Sequence, residues 1–229
     1  MKHDRTVSGV TDELRRTFLD VGIRLSSQQV DRFHIYHREI IAWNPRANLI
    51  SKKDEKRILG RHFIESAALS RCEEIFERCT VLDLGSGGGF PGLPLKIVRP
   101  DLSLTLLDAK RWKALFLTDL VAKMGLQNVW VVNERAESLS AHETCPLPYD
   151  VVVSRAVANP IQLYRLARPL LKNGGCVITL RGSQVLTEMK EFSAVFPHIE
   201  PTVTALRGRA APLSDEMHIV SFSVKTTPE

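Results

Sequence analysis

The sequence predicts an α/β fold: a Rossmann-like, doubly wound and mostly parallel sheet with an antiparallel last strand, preceded by a helical N-terminal region. Three features carry that prediction. Leucine-rich and β-branched runs alternate with helical stretches after residue 79, everything before it has helical periodicity, and the first apolar run ends in the five-glycine loop GSGGGFPG (85–92). Strand–helix alternation calls for parallel strands whose crossovers cover both faces.

In TDELRRTFLDVG, Leu14, Phe18 and Val21 recur at helical spacing behind Thr11 or Asp12 as a cap. SSQQVDRFHIYHREIIAW, opened by Ser26 and Ser27, sets Val30, Phe33, Ile40 and Ile41 on one side, and Pro45 is expected to stop it. A third stripe, Ile58, Leu59, Phe63, Ile64 and Ala67, runs through DEKRILGRHFIESAALSRC. The expected strands are TVLDL, LSLTLL, VWVV, DVVVS and CVITL, then IEPTVTAL and MHIVSFSV. Helices are expected to begin at Gly92-Leu93, Lys110, Asn159-Pro160 and Ser183. No helix separates the last two strands, so the final one folds back antiparallel, with RGRAAPLSDE as the hairpin connection. The predicted division is an N-terminal helical cap at 1–69 and a second domain at 70–229.

A chain of 229 residues, 44% hydrophobic and 25% charged, is long enough to bury a core without disulfides or metals. Cys72, Cys79, Cys145 and Cys176 lack metal-type spacing and read as reduced structural thiols. No apolar run approaches a membrane span, and MKHDRTVSGVTDELRR has no signal-peptide core, so the expected location is cytoplasmic. His34 and His37 lie one turn apart with no third ligand in view, so no metal is expected. The net charge of +5 is compatible with nucleic acid without requiring it.

The glycine loop has two registers. Gly87, Gly89 and Gly92 spell the dinucleotide pattern G-x-G-x-x-G; Gly85, Gly87 and Gly89 spell G-x-G-x-G. Val81-Leu82-Asp83-Leu84 runs straight into Gly85, so the turn begins there, too early for the dinucleotide register, and Asp83 breaks the apolar strand. No GxxxxGK[ST] is present to cradle a triphosphate. An acid at the end of the first strand and a second, Asp108, at the end of LTLLD resemble the class I S-adenosylmethionine (SAM) methyltransferases. Asp83 and the loop would face the methionine portion, and Asp108 could accept from both ribose hydroxyls.

The fourth strand ends Ser154-Arg155-Ala156, not in the Asn/Asp-Pro-Pro-aromatic segment of enzymes that methylate exocyclic amines. Cys145-Pro146 is in the wrong order for cytosine C5 chemistry. Transfer to an atom with a free lone pair, such as guanine N7, remains. It needs no general base, only in-line placement with water excluded, and no catalytic residue is identified.

FPGLPLKIVRP after the glycines, SRA after the fourth strand and NLIS…RHFIES before the first together resemble the bacterial RsmG (GidB) methyltransferases, over about Trp43 to Gly182. The resemblance implies SAM-dependent methylation of guanine N7 in 16S ribosomal RNA. It implies that Gly85, Gly87 and Phe90 line the SAM pocket, that Asp108, Ala109 and Lys110 surround its ribose and adenine, and that Ala136 and Glu137 contact the adenine. Arg155 would lie at the reacting end, orienting guanine O6 or holding a phosphate. The family's usual Leu-Lys-Gly is here Leu180-Arg181-Gly182, and Met217 stands where an arginine often precedes His218.

Lys52, Lys53 and Arg61, with Arg111 and Arg181, are candidate RNA contacts; cations at a helix start oppose the macrodipole, which suggests another use. His62 is expected to hydrogen-bond within the fold, and Phe90 has a competing role capping the core. The expected partner is 16S ribosomal RNA or the small-subunit particle, with the protein a monomer. The competing functions are a SAM methyltransferase of a small metabolite and a non-enzymatic nucleotide-binding module.

Overall fold

The computed structural model describes residues 2–141, 145–155, 158–206 and 217–223. Its strands are β1 (Thr80–Leu84), β2 (Ser103–Leu107), β3 (Val129–Val132), β4 (Tyr149–Arg155), β5 (Leu171–Arg181), β6 (Thr202–Ala205) and β7 (His218–Ser223). They form one seven-stranded sheet in the order β3-β2-β1-β4-β5-β7-β6. β1 to β5 pair in parallel, and β7 runs antiparallel to both β5 and β6. All seven expected strands form. The proposed hairpin connection, 207–216, and Ala156 lie outside the described residues.

The crossovers are α4 (Gly92–Val98), α5 (Arg111–Met124) and α6 (Pro160–Ala167), with α7 (Val185–Val195) after β5. Lys110 caps α5 rather than beginning it, and α6 is capped by the Asn159 side chain, which accepts the Gln162 N–H with Pro160 in the first turn. Alternate strand residues enter two cores. Val81, Leu104, Leu106, Val151 and Val153 pack on one face; Leu82, Leu84, Leu107, Val152 and Val177 pack on the other.

The N-terminal helices α1 (Lys2–Asp20) and α2 (Ser27–Ala47) belong to the first of these cores, through Leu14, Phe18, Val30, Phe33, Tyr36 and Ile40. Gln29 Nε2 donates to the Ile97 carbonyl on α4 at 2.9 Å, and Arg32 Nε to the Met124 carbonyl on α5 at 3.1 Å, so α2 is tied across both. Ser26 and Gln29 form a capping box.

Three expectations about the N-terminal region are corrected. Pro45 lies inside α2, which runs on to Ala47. The amide that a proline lacks would have bonded the Ile41 carbonyl, and Ile41 is on the solvent side, 39% exposed, where water can take that role. That exposure also removes Ile41 from the buried stripe. What ends the helix is Asn44, whose Oδ1 accepts the Leu49 and Ile50 N–H groups, with Asn48 in the left-handed region at φ 47°.

The third stripe is not a regular α-helix either. A 3-10 turn (Glu55–Arg57), a π-helical segment (Ile58–Ile64), α3 (Glu65–Ala67) and a second 3-10 turn (Ala68–Arg71) follow one another. A wider turn brings Ile58 and Phe63, five positions apart, into the same core. Among the described residues no helix is long and apolar enough to cross a membrane.

Candidate active site

β1 ends at Leu84 and the chain turns at once, with the Gly85 and Ser86 N–H groups both bonded to the Leu107 carbonyl at the end of β2. The turn therefore starts where G-x-G-x-G places it. Gly89 adopts φ +93°, and a Cβ there would stand 2.5 Å from Tyr36 Oη and 2.6 Å from Leu93 Cδ1. At Gly92 a Cβ would meet Asp83 Oδ2 at 2.7 Å. Tyr36 donates its hydroxyl to the Gly88 carbonyl at 2.7 Å, so α2 holds the loop from the N-terminal side.

Asp108, just past the end of β2, ties down the other side. Its Oδ2 accepts the Gly87 N–H at 2.9 Å and its Oδ1 the Lys110 N–H at 2.8 Å, while Asn133, just past β3, donates to its carbonyl at 2.9 Å. Each carboxylate oxygen keeps a lone pair for a ligand. Asp83 does not face the cavity as expected. It is fully buried beneath the loop, its Oδ2 taking the Gly92 N–H at 2.9 Å, and burial pushes its carboxyl up to about 7.

A cavity of about 500 Å³ opens at the carboxyl ends of β1, β2 and β4, the edge where parallel α/β sheets bind ligands. It brings together Gly85, Gly87, Phe90, Asp108, Lys110 and Arg155 from the sequence-predicted set. Of the rest of that set, Ala109 is exposed beside Asp108. Ala136 and Glu137 open a short 3-10 helix after β3, at the same sheet edge but not on the cavity wall. Phe90 is 6% exposed, stacks on Tyr36 at 5.4 Å and lines the cavity.

On the β4 side, Arg155 donates through Nη2 to Glu65 Oε2 at 2.7 Å and through Nη1 to the Arg61 carbonyl at 2.8 Å. Burial pushes the Glu65 carboxyl up and the Arg155 guanidinium down, and each is opposed by the partner's charge. Arginine does not give up its proton in proteins, so the contact is a buried ion pair.

Leu49, Ile50, His62, Ser86, Gly88 and Lys113 also line the cavity and were not in the predicted set. His62 corrects a second expectation. It makes no hydrogen bond: both ring nitrogens are buried without a partner among the described residues, and Asp54 Oδ2 lies 3.9 Å from Nε2. Burial and the Arg155 cation push its pKa down to about 3, against the pull of Asp54.

The proposed RNA cations divide. Lys52, Lys53 and Arg111 are exposed, and Arg61 bonds Asp54 at 2.9 Å. Arg181 is buried, with Nη2 on the Ala158 carbonyl at 2.7 Å and Nη1 3.7 Å from Glu188. A larger cavity, about 810 Å³, lies between Cys72–Glu74 and the β6–β7 edge and holds none of the predicted residues.

Chemically, the wall joins a glycine-rich loop and the Asp108 carboxylate on the β2 side to a fixed cation on the β4 side. Its titratable lining residues are His62, Asp108, Lys110, Lys113 and Arg155. Asp108 is engaged with the backbone amides of Gly87 and Lys110.

Residues 29–208 match the family model GidB, described as rRNA small subunit methyltransferase G. The chain is 41% identical over 180 residues to the Ribosomal RNA small subunit methyltransferase G of Roseiflexus castenholzii, covering 78% of this chain and 76% of that one. It is 34% identical over 204 residues to the protein of the same name from Oceanobacillus iheyensis, covering 89% and 81%. In fold it is similar to the O-methyltransferase TomG of Streptomyces achromogenes, solved in complex with SAM. The TM-score is 0.55 at 14% identity, over 89% of this chain and 92% of that one.

Proposed function

The chain belongs to the GidB family of rRNA small subunit methyltransferases G, and we propose that it transfers a methyl group from SAM to N7 of a guanine in 16S ribosomal RNA. The observation that carries this is the convergence of Gly85, Gly87, Phe90, Asp108, Lys110 and Arg155 on one cavity at the carboxyl ends of the parallel strands. SAM fits that cavity because Gly85, Gly87 and Gly88 present backbone to it, and Asp108 offers lone pairs beside it. SAM supplies a methyl group on a positively charged sulfur.

Gly85, Gly87 and Phe90 hold the methionine end, and Asp108, Ala109 and Lys110 surround the ribose and adenine. Ala136 and Glu137 contact the adenine edge. Arg155, pinned by Glu65, stands at the reacting end. Guanine N7 has a lone pair and no proton to lose, so its methylation needs no general base; positioning is worth several kcal/mol, up to roughly 10 in the best-oriented cases.

The N-terminal helical region, 1–69, caps the site and forms part of the RNA groove. Lys52 and Lys53 follow the cavity residue Ile50, and Arg111 follows Lys110, so exposed cations flank the cavity for phosphate contact. The substrate is the RNA or the small-subunit particle, met in the cytoplasm by a monomer.

The test is to incubate the protein with methyl-labelled SAM and small subunits lacking the modification, then cleave the RNA chemically at N7-methylguanine. Label confined to one guanine is expected. Label on an exocyclic amine, on protein or on free metabolites only would overturn the assignment.

A further inference from the structure

Of the residues lining the active-site cavity, His62 alone has buried side-chain polar atoms with no partner among the described residues. Less than 1 Å² of either ring nitrogen is open to water, and the residue as a whole is 8% exposed. An imidazole has two nitrogens to satisfy, and buried polar groups are ordinarily bonded, so an exception on a cavity wall points to a group that arrives from outside.

The neighbours cannot complete it. Asp54 is the nearest acid, but its Oδ2 stands 3.9 Å from Nε2, beyond hydrogen-bond reach, while its oxygens hold the Arg61 guanidinium at 2.9 Å and the Ser51 hydroxyl at 2.8 Å. The Phe90 ring, centred 4.8 Å from the imidazole, offers no conventional acceptor. The backbone that carries His62 is also unusual, a π-helical segment from Ile58 to Ile64. Such segments are frequent at functional sites because their extra residue re-aims a side chain.

Its position says which ligand it meets. In the sheet, β2 and β4 flank β1 on opposite sides. Asp108, Ala109 and Lys110 follow β2. Arg155 ends β4 and is bonded to the carbonyl of Arg61, the residue before His62. His62 therefore sits on the β4 side of the glycine loop, away from the ribose acceptor and next to the fixed cation.

We propose that His62 hydrogen-bonds the guanine that receives the methyl group and so sets that base in line, a role that rests on the methyl-transfer function proposed above. A small turn of the ring on binding brings one nitrogen to the base: N–H to O6, or bare nitrogen to N1–H. With burial and the Arg155 charge holding the ring neutral, it orients the base without adding a positive charge that would draw density from N7.

The test compares His62→Ala and His62→Gln with the unaltered protein in three measurements: S-adenosylhomocysteine affinity by calorimetry, kcat and KM on unmethylated small subunits, and thermal midpoint. His62→Ala should lower kcat/KM by roughly tenfold or more with cofactor affinity within about twofold, and His62→Gln, which keeps a donor and an acceptor, should recover most of the loss. A wild-type rate in His62→Ala overturns the proposal, as does an equal loss of cofactor affinity and methylation. If His62→Ala does not fold, His62→Gln decides alone: a folded, cofactor-binding variant at less than about a hundredth of the normal rate counts against it. Failure of the unaltered protein to methylate guanine N7 would instead overturn the function itself.

Discussion

The Asp108 carboxylate and the Gly87 amide are joined by a 2.9 Å hydrogen bond that ties the glycine loop after β1 to the end of β2. The same carboxylate holds the Lys110 amide at 2.8 Å, so one side chain shapes the loop, the start of α5 and the wall between them. Asp108→Ala is expected to raise the dissociation constant for SAM by about 10- to 100-fold, the loss of one or two charge-assisted hydrogen bonds. Calorimetry with S-adenosylhomocysteine checks it; affinity within twofold of normal would remove Asp108 from the site.

Glu65 and Arg155 are a second coupled pair, with side chains 3% and 11% exposed. Glu65→Ala leaves a buried cation unpaired and should cost about 3–5 kcal/mol in denaturant unfolding. The double variant Glu65→Ala/Arg155→Ala should cost less than the two single losses added, because no lone charge remains. Additive losses would mean that the pair is not coupled.

Tyr36→Phe removes only the hydroxyl that donates to the Gly88 carbonyl. Loss of a buried bond of this kind costs about 1–3 kcal/mol, and a loosened loop should bind SAM more weakly. A thermal midpoint and cofactor affinity both equal to the unaltered protein's would show that α2 does not hold the loop.

Much of this architecture was legible because strands and crossovers announce themselves in hydrophobic pattern. TVLDL became β1 residue for residue. Asn159-Pro160 read correctly as a helix start because capping is local chemistry. What escaped was polar pairing over long separations. Nothing near Tyr36 in sequence points to Gly88, 52 residues on, nor does Asn44 announce that its side chain will end α2 in place of Pro45. His62 escaped because a lone histidine in an apolar stripe reads as a satisfied core residue; only the packed neighbourhood reveals that its ring nitrogens have no partner among the described residues.

Asp83 gives a pH prediction. Burial lifts its pKa from the ordinary 3.8 to about 7, so between those values the folded state holds a proton that the unfolded chain has released. Its contribution to stability is present below about pH 4 and is lost as pH rises through 7. Asp83→Asn, neutral at every pH, should therefore gain stability relative to the unaltered protein between pH 5 and pH 8. Thermal midpoints at those two pH values check it, and a relative loss over the same interval would contradict the burial argument.

The most direct measurement is a crystal structure of the protein with S-adenosylhomocysteine. The ribose hydroxyls should lie on the Asp108 carboxylate, the amino-acid portion along the Gly85–Gly89 backbone, and the sulfur on the side toward Arg155 and His62. A ligand bound in the cavity beside Cys72 and the β6–β7 edge, or lying with its ribose away from Asp108, would contradict the account.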